Sequence, residues 1–154
     1  MRKTFLFFLT LFLSFSAFAQ SEEEKAVLAV VDTFFQAIED KDTTVANQVL
    51  HPDGQFFATL EGGRLIRMTH KAYIKRMPMG KGHPVERYWN PEVHIRGDIA
   101  TVWAPYDFYV DDKFSHCGID ALDMVRTEGK WMIVGGIFTV EKNTCDSLNM
   151  PDRN

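Results

Sequence analysis

The chain has 154 residues, 21 of them acidic and 17 basic, so its net charge is −4 when the histidines are neutral. This acidic balance, together with the lack of any Lys/Arg cluster in the sequence, argues against nucleic acid or an acidic membrane as a partner. The length suits one domain with one hydrophobic core, and no segment repeats.

The first nineteen residues have the pattern of a secretory signal peptide. Two basic residues precede an apolar run over residues 4–15, and residues 17–19 supply the small-residue pattern that signal peptidase accepts. The apolar run is shorter than the roughly 20 residues of a membrane-spanning helix. We therefore predict a signal peptide over residues 1–19 and a single exported domain over residues 20–154, secreted or periplasmic and free of the membrane after cleavage.

Three helices are predicted in the first half of that domain. The first covers residues 22–40, where apolar side chains recur at spacings of three and four and where Ser21 with Glu24 forms a capping-box pattern. A second, short helix is predicted over residues 43–50 and a third over residues 69–77.

Strand patterns dominate the rest of the chain. Turn chemistry at residues 51–54 precedes a short predicted strand, and residues 78–84 form a predicted loop with two Gly and two Pro. Pro105 predicts a bulge or an edge position inside a long strand, since proline cannot donate a ladder hydrogen bond. The order predicts an α+β architecture, with helices packed on one face of a strongly curved, mostly antiparallel sheet. The predicted strands cover residues 55–60, 93–96, 99–110, 114–126 and 130–142.

The element order and the last strands resemble one known superfamily. The residues that carry the resemblance are Trp103, Pro105, Tyr106, Phe108, Tyr109, residues 114–118, Asp120, and Gly129, Lys130, Trp131 and Ile133. With these residues, the chain is similar to nuclear transport factor 2-like proteins, and more narrowly to exported bacterial members often described as putative lumazine-binding. The resemblance implies a cone-shaped, cystatin-like fold with a cavity, and a homodimer formed through the outer face of the sheet. It implies no single reaction, because members share the cavity more than a chemistry.

Two ionisable side chains interrupt the predicted strand over residues 114–126. His116 and Asp120 have the same parity as Leu122, so all three are expected on the face beneath the helices. Gly118 lies between them and would remove bulk where a ligand approaches. His116 and Asp120 are about 13 Å apart along the strand, a separation that suits the two ends of one small molecule. Alternatively, Asp120 accepts a structural hydrogen bond and belongs to no site.

The resemblance also offers a competing register. Ketosteroid isomerases use a neutral Asp before the last hairpin as a hydrogen-bond donor, and an alignment with residues 123–126 would give this role to Asp123. A regular strand cannot turn both Asp120 and Asp123 inward. We prefer Asp120, because its apolar neighbours on the same face are larger. No early carboxylate stands out as the general base that isomerase chemistry needs.

Aromatic side chains exceed what a tightly filled small core needs. A cone lined by Phe and Tyr, with one His and one Asp, suits a flat and partly polar ring system. His116 and Asp120 are the best candidates for a catalytic role. No paired histidine spacing, phosphate loop or nucleophile elbow occurs in the sequence, so we predict no metal and no cofactor. The predicted ligand-contacting residues are Phe34, Trp103, Tyr106, Phe108, His116 and Asp120.

Both cysteines, Cys117 and Cys145, lie in the predicted mature domain. An even pair in an exported protein favours a disulfide, which would fasten the C-terminal tail to the sheet. The alternative is a buried thiol in the strand and a loose thiol near the tail.

Three functions are consistent with the sequence. The first is an exported domain that binds a small aromatic or heterocyclic molecule. The second is a cofactor-free acid/base enzyme, of isomerase or dehydratase type, that uses the same cavity. The third is a dimeric interaction domain without a ligand.

Overall fold

The structure is a computed structural model that describes residues 21–152, so the predicted signal peptide lies outside the described residues. No helix within this range is long and apolar enough to cross a membrane. In these residues, three α-helices and seven strands follow in the order α1 (Glu22–Asp40), α2 (Thr43–Val49), β1 (Leu50–Leu60), β2 (Arg64–Thr69), α3 (His70–Arg76), β3 (Pro84–Tyr88), β4 (Glu92–Arg96), β5 (Ile99–Val110), β6 (Lys113–Thr127) and β7 (Lys130–Val140).

Helix α1 begins at its predicted capping box. The Glu24 backbone N–H donates to the Ser21 hydroxyl at 3.1 Å, and the Ser21 N–H donates to the Glu24 carboxylate at 2.9 Å. The helix ends at Lys41, whose left-handed φ of 54° turns the chain away from the helix axis. The apolar side of α1 packs on the sheet and supplies much of the core.

One sheet forms the second layer. Its strand order is β2-β1-β7-β6-β5-β3, and β4 also pairs with β5. All pairs are antiparallel except β1 with β7, which run parallel. Three hairpin turns, at residues 97–98, 111–112 and 128–129, join the strands of the C-terminal meander where the sequence has turn-type residues, and each has at least one residue of positive φ. The predicted α+β architecture with a mostly antiparallel sheet is therefore confirmed.

Two strands, β2 and β3, lie where none is predicted from the sequence. Both are short edge strands in which charged residues mask any apolar alternation. The turn predicted at residues 51–54 is also wrong, because strand β1 already begins at Leu50. A register shift against β7 between Leu50 and Gln55 accommodates the turn-type residues inside the strand.

Pro105 occupies a gap between two partner strands. β3 ends and β4 begins opposite residues 103–106 of β5, and the Trp89 N–H donates to the Pro105 carbonyl across this gap at 3.2 Å. The N–H and C=O of a strand residue point to the same side, so the missing proline donor faces the gap as well. The edge-like position is confirmed, whereas the register shift of β5 lies further on, between Phe108 and Tyr109.

The predicted disulfide is present and fastens the tail to the outer face of the sheet. Cys117 and Cys145 are bonded with their Cα atoms 5.9 Å apart. The indole N–H of Trp89 donates to a tail carbonyl, that of Leu148, at 3.0 Å. The tail is therefore held to the domain by at least one covalent bond and one hydrogen bond.

Candidate functional site

A cavity of about 190 Å³ lies between helix α1 and the concave face of the sheet. Five phenylalanines, together with Ile38 and Leu122, form its apolar wall. Two of them, Phe34 and Phe56, stack with their ring centroids 5.6 Å apart. A mostly apolar wall with a few polar groups is the composition typical of a small-molecule site. The polar lining residues are Tyr73, Glu86, Tyr106, His116 and Asp120.

Most of the predicted ligand-contacting residues line this cavity, but Trp103 does not. Trp103 is 51% exposed on the outer face of the sheet. Strand β5 pairs regularly with β6 up to Phe108, so its even-numbered residues, Tyr106 and Phe108 among them, face inward and Trp103 faces outward. The prediction that Trp103 and Tyr106 share one site is therefore wrong. The predicted residues that line the cavity are Phe34, Tyr106, Phe108, His116 and Asp120.

Strand β6 turns Asp120, and not Asp123, towards the cavity. Asp120 is only 5% exposed and lines the cavity, whereas Asp123 is exposed on the opposite face. Leu122 shares the inward face with Asp120, as their common parity requires. Contact of Asp120 with a ligand stays a prediction.

The carboxyl group of Asp120 is paired with that of Glu86, a residue for which the sequence predicts no role. Glu86 lies on edge strand β3, opposite Phe108. The residue is partly exposed, but its carboxyl group points inward and forms a hydrogen bond with the carboxyl group of Asp120. Burial, and then the Asp120 charge, raise the pKa of Glu86 well above its usual range. Burial raises the pKa of Asp120 to about 7, although the hydrogen bond with Glu86 acts in the opposite direction.

This carboxyl pair has more acceptor atoms than donors. Among the residues that the structure describes, no N–H or hydroxyl group donates to the buried Oδ2 of Asp120. A hydrogen bond between two carboxyl groups requires a proton on one of them, so the pair with Glu86 holds a proton when that bond forms. Buried acceptors are nearly always satisfied in folded proteins. One shared proton cannot satisfy all four oxygens of the two carboxyl groups, so the pair presents at least one free acceptor to the aromatic cavity.

His116 is an uncharged ring at neutral pH. Burial, helped by the charge of Lys142, lowers its pKa to about 4. The imidazole stacks on Phe108 with ring centroids 4.9 Å apart, and its Nδ1 lies 3.0 Å from the Ser115 hydroxyl oxygen. His116 can therefore exchange hydrogen bonds with a ligand but carries no positive charge towards it.

Tyr106 and Gly118 have structural partners of their own. The Tyr106 hydroxyl donates to the Thr139 carbonyl at 2.6 Å. A Cβ atom at Gly118 would lie 2.1 Å from the same carbonyl oxygen and 2.8 Å from the Tyr106 ring. The space at Gly118 is thus filled by protein atoms, and the prediction that it serves a ligand is wrong. The Tyr106 ring lines the cavity while its hydroxyl is bound to the backbone.

Within residues 21–152, no group of three or more His, Cys, Asp or Glu side chains is placed to hold a metal ion. His94 is exposed on β4, as its parity predicts. His70 is fully buried, and its Nδ1 lies 2.9 Å from the His51 carbonyl oxygen. These histidines lie outside the cavity lining.

A helical layer over a curved sheet, with a lined cavity between them, defines the cystatin-like cone of the nuclear transport factor 2-like superfamily. Solved structures match this fold, among them a nuclear transport factor 2-like protein of unknown function from Silicibacter pomeroyi, with 21% identity over 80% of this chain and 99% of the other and a TM-score of 0.64. A nuclear transport factor 2-like protein from Cytophaga hutchinsonii is 17% identical over 78% of this chain and 99% of its own, with a TM-score of 0.65. A superfamily protein from Salmonella enterica is 15% identical over 79% of this chain and 92% of its own, with a TM-score of 0.63.

The family model described as "putative lumazine-binding" matches residues 22–139. The chain belongs to this family, as its last strands suggest. No curated protein matches the chain. The family description supports a ligand-binding domain, and the solved structures support the fold alone.

Proposed function

We propose that this chain is an exported domain that binds a small molecule with a flat ring in the cavity between α1 and the sheet. The observation that carries the proposal is the carboxyl pair of Asp120 and Glu86 at an aromatic cavity, in which the buried Oδ2 of Asp120 receives no N–H or hydroxyl donor from the described residues. A ligand that donates a hydrogen bond from its ring edge would satisfy this acceptor. Export is supported by the signal-peptide pattern and by the disulfide.

The cavity volume indicates the size of that ring. An apolar cavity of about 150 Å³ in another protein takes up benzene. The cavity of about 190 Å³ described above is therefore large enough for one substituted six-membered ring. The phenylalanines would contact the ring faces, while His116 and the carboxyl pair would contact polar atoms on its edge.

Phenol is the simplest probe of this proposal, since it combines one ring with one donor. We expect phenol to shift the amide NMR signals of His116, Asp120 and Leu122, which line the cavity. Anisole has the same ring without the donor, and we expect it to bind about tenfold more weakly, because a hydrogen bond to a charged acceptor contributes about 1.5–3 kcal/mol.

A matched pair of variants shows whether phenol enters the cavity. Phe108→Trp enlarges a lining side chain and should weaken phenol binding at least about threefold. Phe114→Trp makes the same change at a residue that is 42% exposed and lines no part of the cavity, and it should leave binding unchanged. Phenol shifts that map to the outer sheet face, or no binding by phenol, would contradict the proposal.

Acid/base catalysis in the same cavity is a second candidate, favoured by the carboxyl pair. Burial raises the pKa of Asp120 to about 7, so at neutral pH the pair with Glu86 can hold one acid and one base together. A catalysed reaction would appear as exchange of ligand C–H hydrogen for deuterium in D₂O. Loss of this exchange in Asp120→Asn, with ring binding retained, would identify an enzyme.

A homodimer through the outer sheet face is part of the proposal. Trp103, Ala121 and Ile137 lie side by side on neighbouring strands, and the two large side chains are 51% and 54% exposed. We expect Trp103→Asp to weaken self-association at least about tenfold, since a buried Trp is a frequent interface hot spot. Analytical ultracentrifugation checks this expectation. Met79→Asp, at an apolar residue 74% exposed on the 77–79 turn, is the control and should leave the dimer intact.

A further inference from the structure

A second open space adjoins the cavity. We call this space of about 330 Å³ the vestibule; it lies between the C-terminal end of α1, the segment that follows α3, and the ends of β3 and β5. Ile38, Tyr73 and Phe108 line both spaces, so the two spaces are neighbours separated by these three side chains. A molecule longer than one ring would occupy both spaces if it passed between these side chains.

The charge of the vestibule is opposite to that of the chain as a whole. Its lining includes three cations, Lys41, Arg76 and Lys81, and no Asp or Glu among the residues that the structure describes. The whole chain carries a net charge of −4. A local group of cations in an acidic protein creates a positive potential at this one opening.

No carboxylate neutralises these three cations within the described part of the chain. The Lys41 ammonium donates to the carbonyls of Gly80 and Gly82, both at 2.7 Å, which leaves one of its three N–H donors available. Arg76 and Lys81 are exposed and form no ion pair with any residue between 21 and 152.

The acidic side chains nearest the vestibule are bound elsewhere. Glu39 lies 3.4 Å from the His83 imidazole, and Asp111 accepts a hydrogen bond from the His83 backbone N–H at 2.8 Å. Asp40 accepts from the Gln36 amide at 2.9 Å. These carboxylates keep their negative charge and so weaken the positive potential of the vestibule, but none of them forms an ion pair with Lys41, Arg76 or Lys81.

The inner end of the cavity, in contrast to the vestibule, disfavours a negative charge on the ligand. Glu86 and Asp120 would repel a second anion, and the uncharged His116 ring does not offset them. A ligand that occupies both spaces would therefore have its hydrogen-bond donor inside and any negative charge outside. The two ends of the site thus select one orientation.

We propose that the ligand is an elongated aromatic oxyanion, whose ring occupies the cavity and whose carboxylate, sulfonate or phosphate group binds Lys41, Arg76 and Lys81 in the vestibule. This inference rests on the function proposed above and adds the chemical class of the ligand. The oxyanion would gain charge-assisted hydrogen bonds, and Arg76 could bind two of its oxygens at once.

A matched pair of probes tests the inference. 3-(4-Hydroxyphenyl)propionate places a phenol ring in the cavity and a carboxylate in the vestibule, while 3-(4-hydroxyphenyl)propionamide has the same shape without the charge. We expect the carboxylate to bind about tenfold more tightly than the amide, because each partly exposed ion pair contributes up to about 1 kcal/mol. The preference should fall as ionic strength rises from about 0.01 M to about 0.5 M.

Variants of the cations identify the binding group. In the double variant Arg76→Gln/Lys81→Gln, we expect the carboxylate to lose most of its advantage, while the affinity for phenol stays the same. Lys75→Gln changes a neighbouring cation of α3 that does not line the vestibule, and it should retain the preference.

The outcomes separate the two proposals. Phenol binding together with equal affinities for the carboxylate and the amide, or binding of neither elongated probe, would overturn the oxyanion inference and leave the ring-binding proposal intact. Failure of phenol and of both elongated probes would overturn both. A preference that persists in the double variant would exclude Arg76 and Lys81 as its cause and so contradict the inference that they bind the oxyanion.

Discussion

Asp120→Asn should make the domain more stable than the wild type above pH 7 and leave the two nearly equal at about pH 4. In the folded protein burial raises the pKa of Asp120 to about 7, whereas an unfolded Asp has a pKa of about 3.9. A raised pKa means that the folded state holds its proton more tightly than the unfolded state does. The stability from this group is therefore complete below about pH 4 and is lost as pH rises through about 7.

The loss corresponds to roughly 4 kcal/mol at most, because three pKa units at about 1.4 kcal/mol each separate the two states. Asn cannot ionise, and its amide can donate to the Glu86 carboxylate. The free energy of unfolding of the variant should therefore exceed that of the wild type by about 2–4 kcal/mol at pH 8. Glu86 also has a raised pKa, so only the double variant Asp120→Asn/Glu86→Gln should remove the pH dependence of the pair.

Urea unfolding at several pH values between 4 and 9 measures the difference. His116 acts in the opposite direction, because its lowered pKa reduces the stability of the folded protein as pH falls from about 6.5 to about 4. This contribution is the same in wild type and variant, so it cancels in their difference. Asp123→Asn is the control, on the same strand with its side chain exposed on the other face. An Asp120→Asn difference that is independent of pH, or that shrinks as pH rises, would contradict the paired-carboxyl geometry.

Local signals in the sequence account for the parts of the fold that were predicted correctly. Helix α1 has both its capping box and its apolar periodicity within 20 contiguous residues, and both are formed as predicted. The C-terminal hairpins are defined by turn residues next to alternating strands. The inward orientation of His116 and Asp120 also follows from local information, because parity along one regular strand fixes which residues share a face.

Contacts between distant segments account for the parts that were missed. The parallel pair of β1 and β7 joins residues about 80 positions apart, and no local pattern specifies it. Glu86 could not be assigned to a face, because its strand is a short edge segment after a loop. The Glu86–Asp120 pair therefore depends on the curvature of the sheet, which the sequence does not display. Trp103 was misplaced for a different reason, since its parity already excludes a shared site with Tyr106.

The group of cations in the vestibule was also missed, because its members are distant in the sequence. Lys41 follows the first helix, whereas Arg76 and Lys81 lie more than 30 residues further along the chain. In the sequence they form no basic cluster, and the net negative charge of the chain gives no indication of a positive site. Only the packing of α1 against the segment after α3 brings the three charges to one opening.

Removal of the disulfide is the second change with a large expected effect. Cys117 and Cys145 are 28 positions apart, and a bond that closes a loop of this length stabilises a protein by about 3–4 kcal/mol in the chain-entropy model. We expect Cys117→Ala/Cys145→Ala to lose about 3 kcal/mol in the free energy of unfolding and to melt about 10 °C lower.

The single variant Cys145→Ala separates the bond from the packing of Cys117. Cys117 is fully buried, so Cys117→Ala adds a small cavity cost that Cys145→Ala avoids. Both variants should nevertheless lose most of the same stability, because each lacks the bridge. Phenol binding well below the melting temperature should be retained in both, since Cys117 faces away from the cavity that His116 lines. Two results would contradict this prediction: a loss of less than about 1 kcal/mol in the free energy of unfolding, or a loss found only in the double variant. Either result would mean that contacts such as the Trp89–Leu148 hydrogen bond, and not the covalent bond, hold the tail.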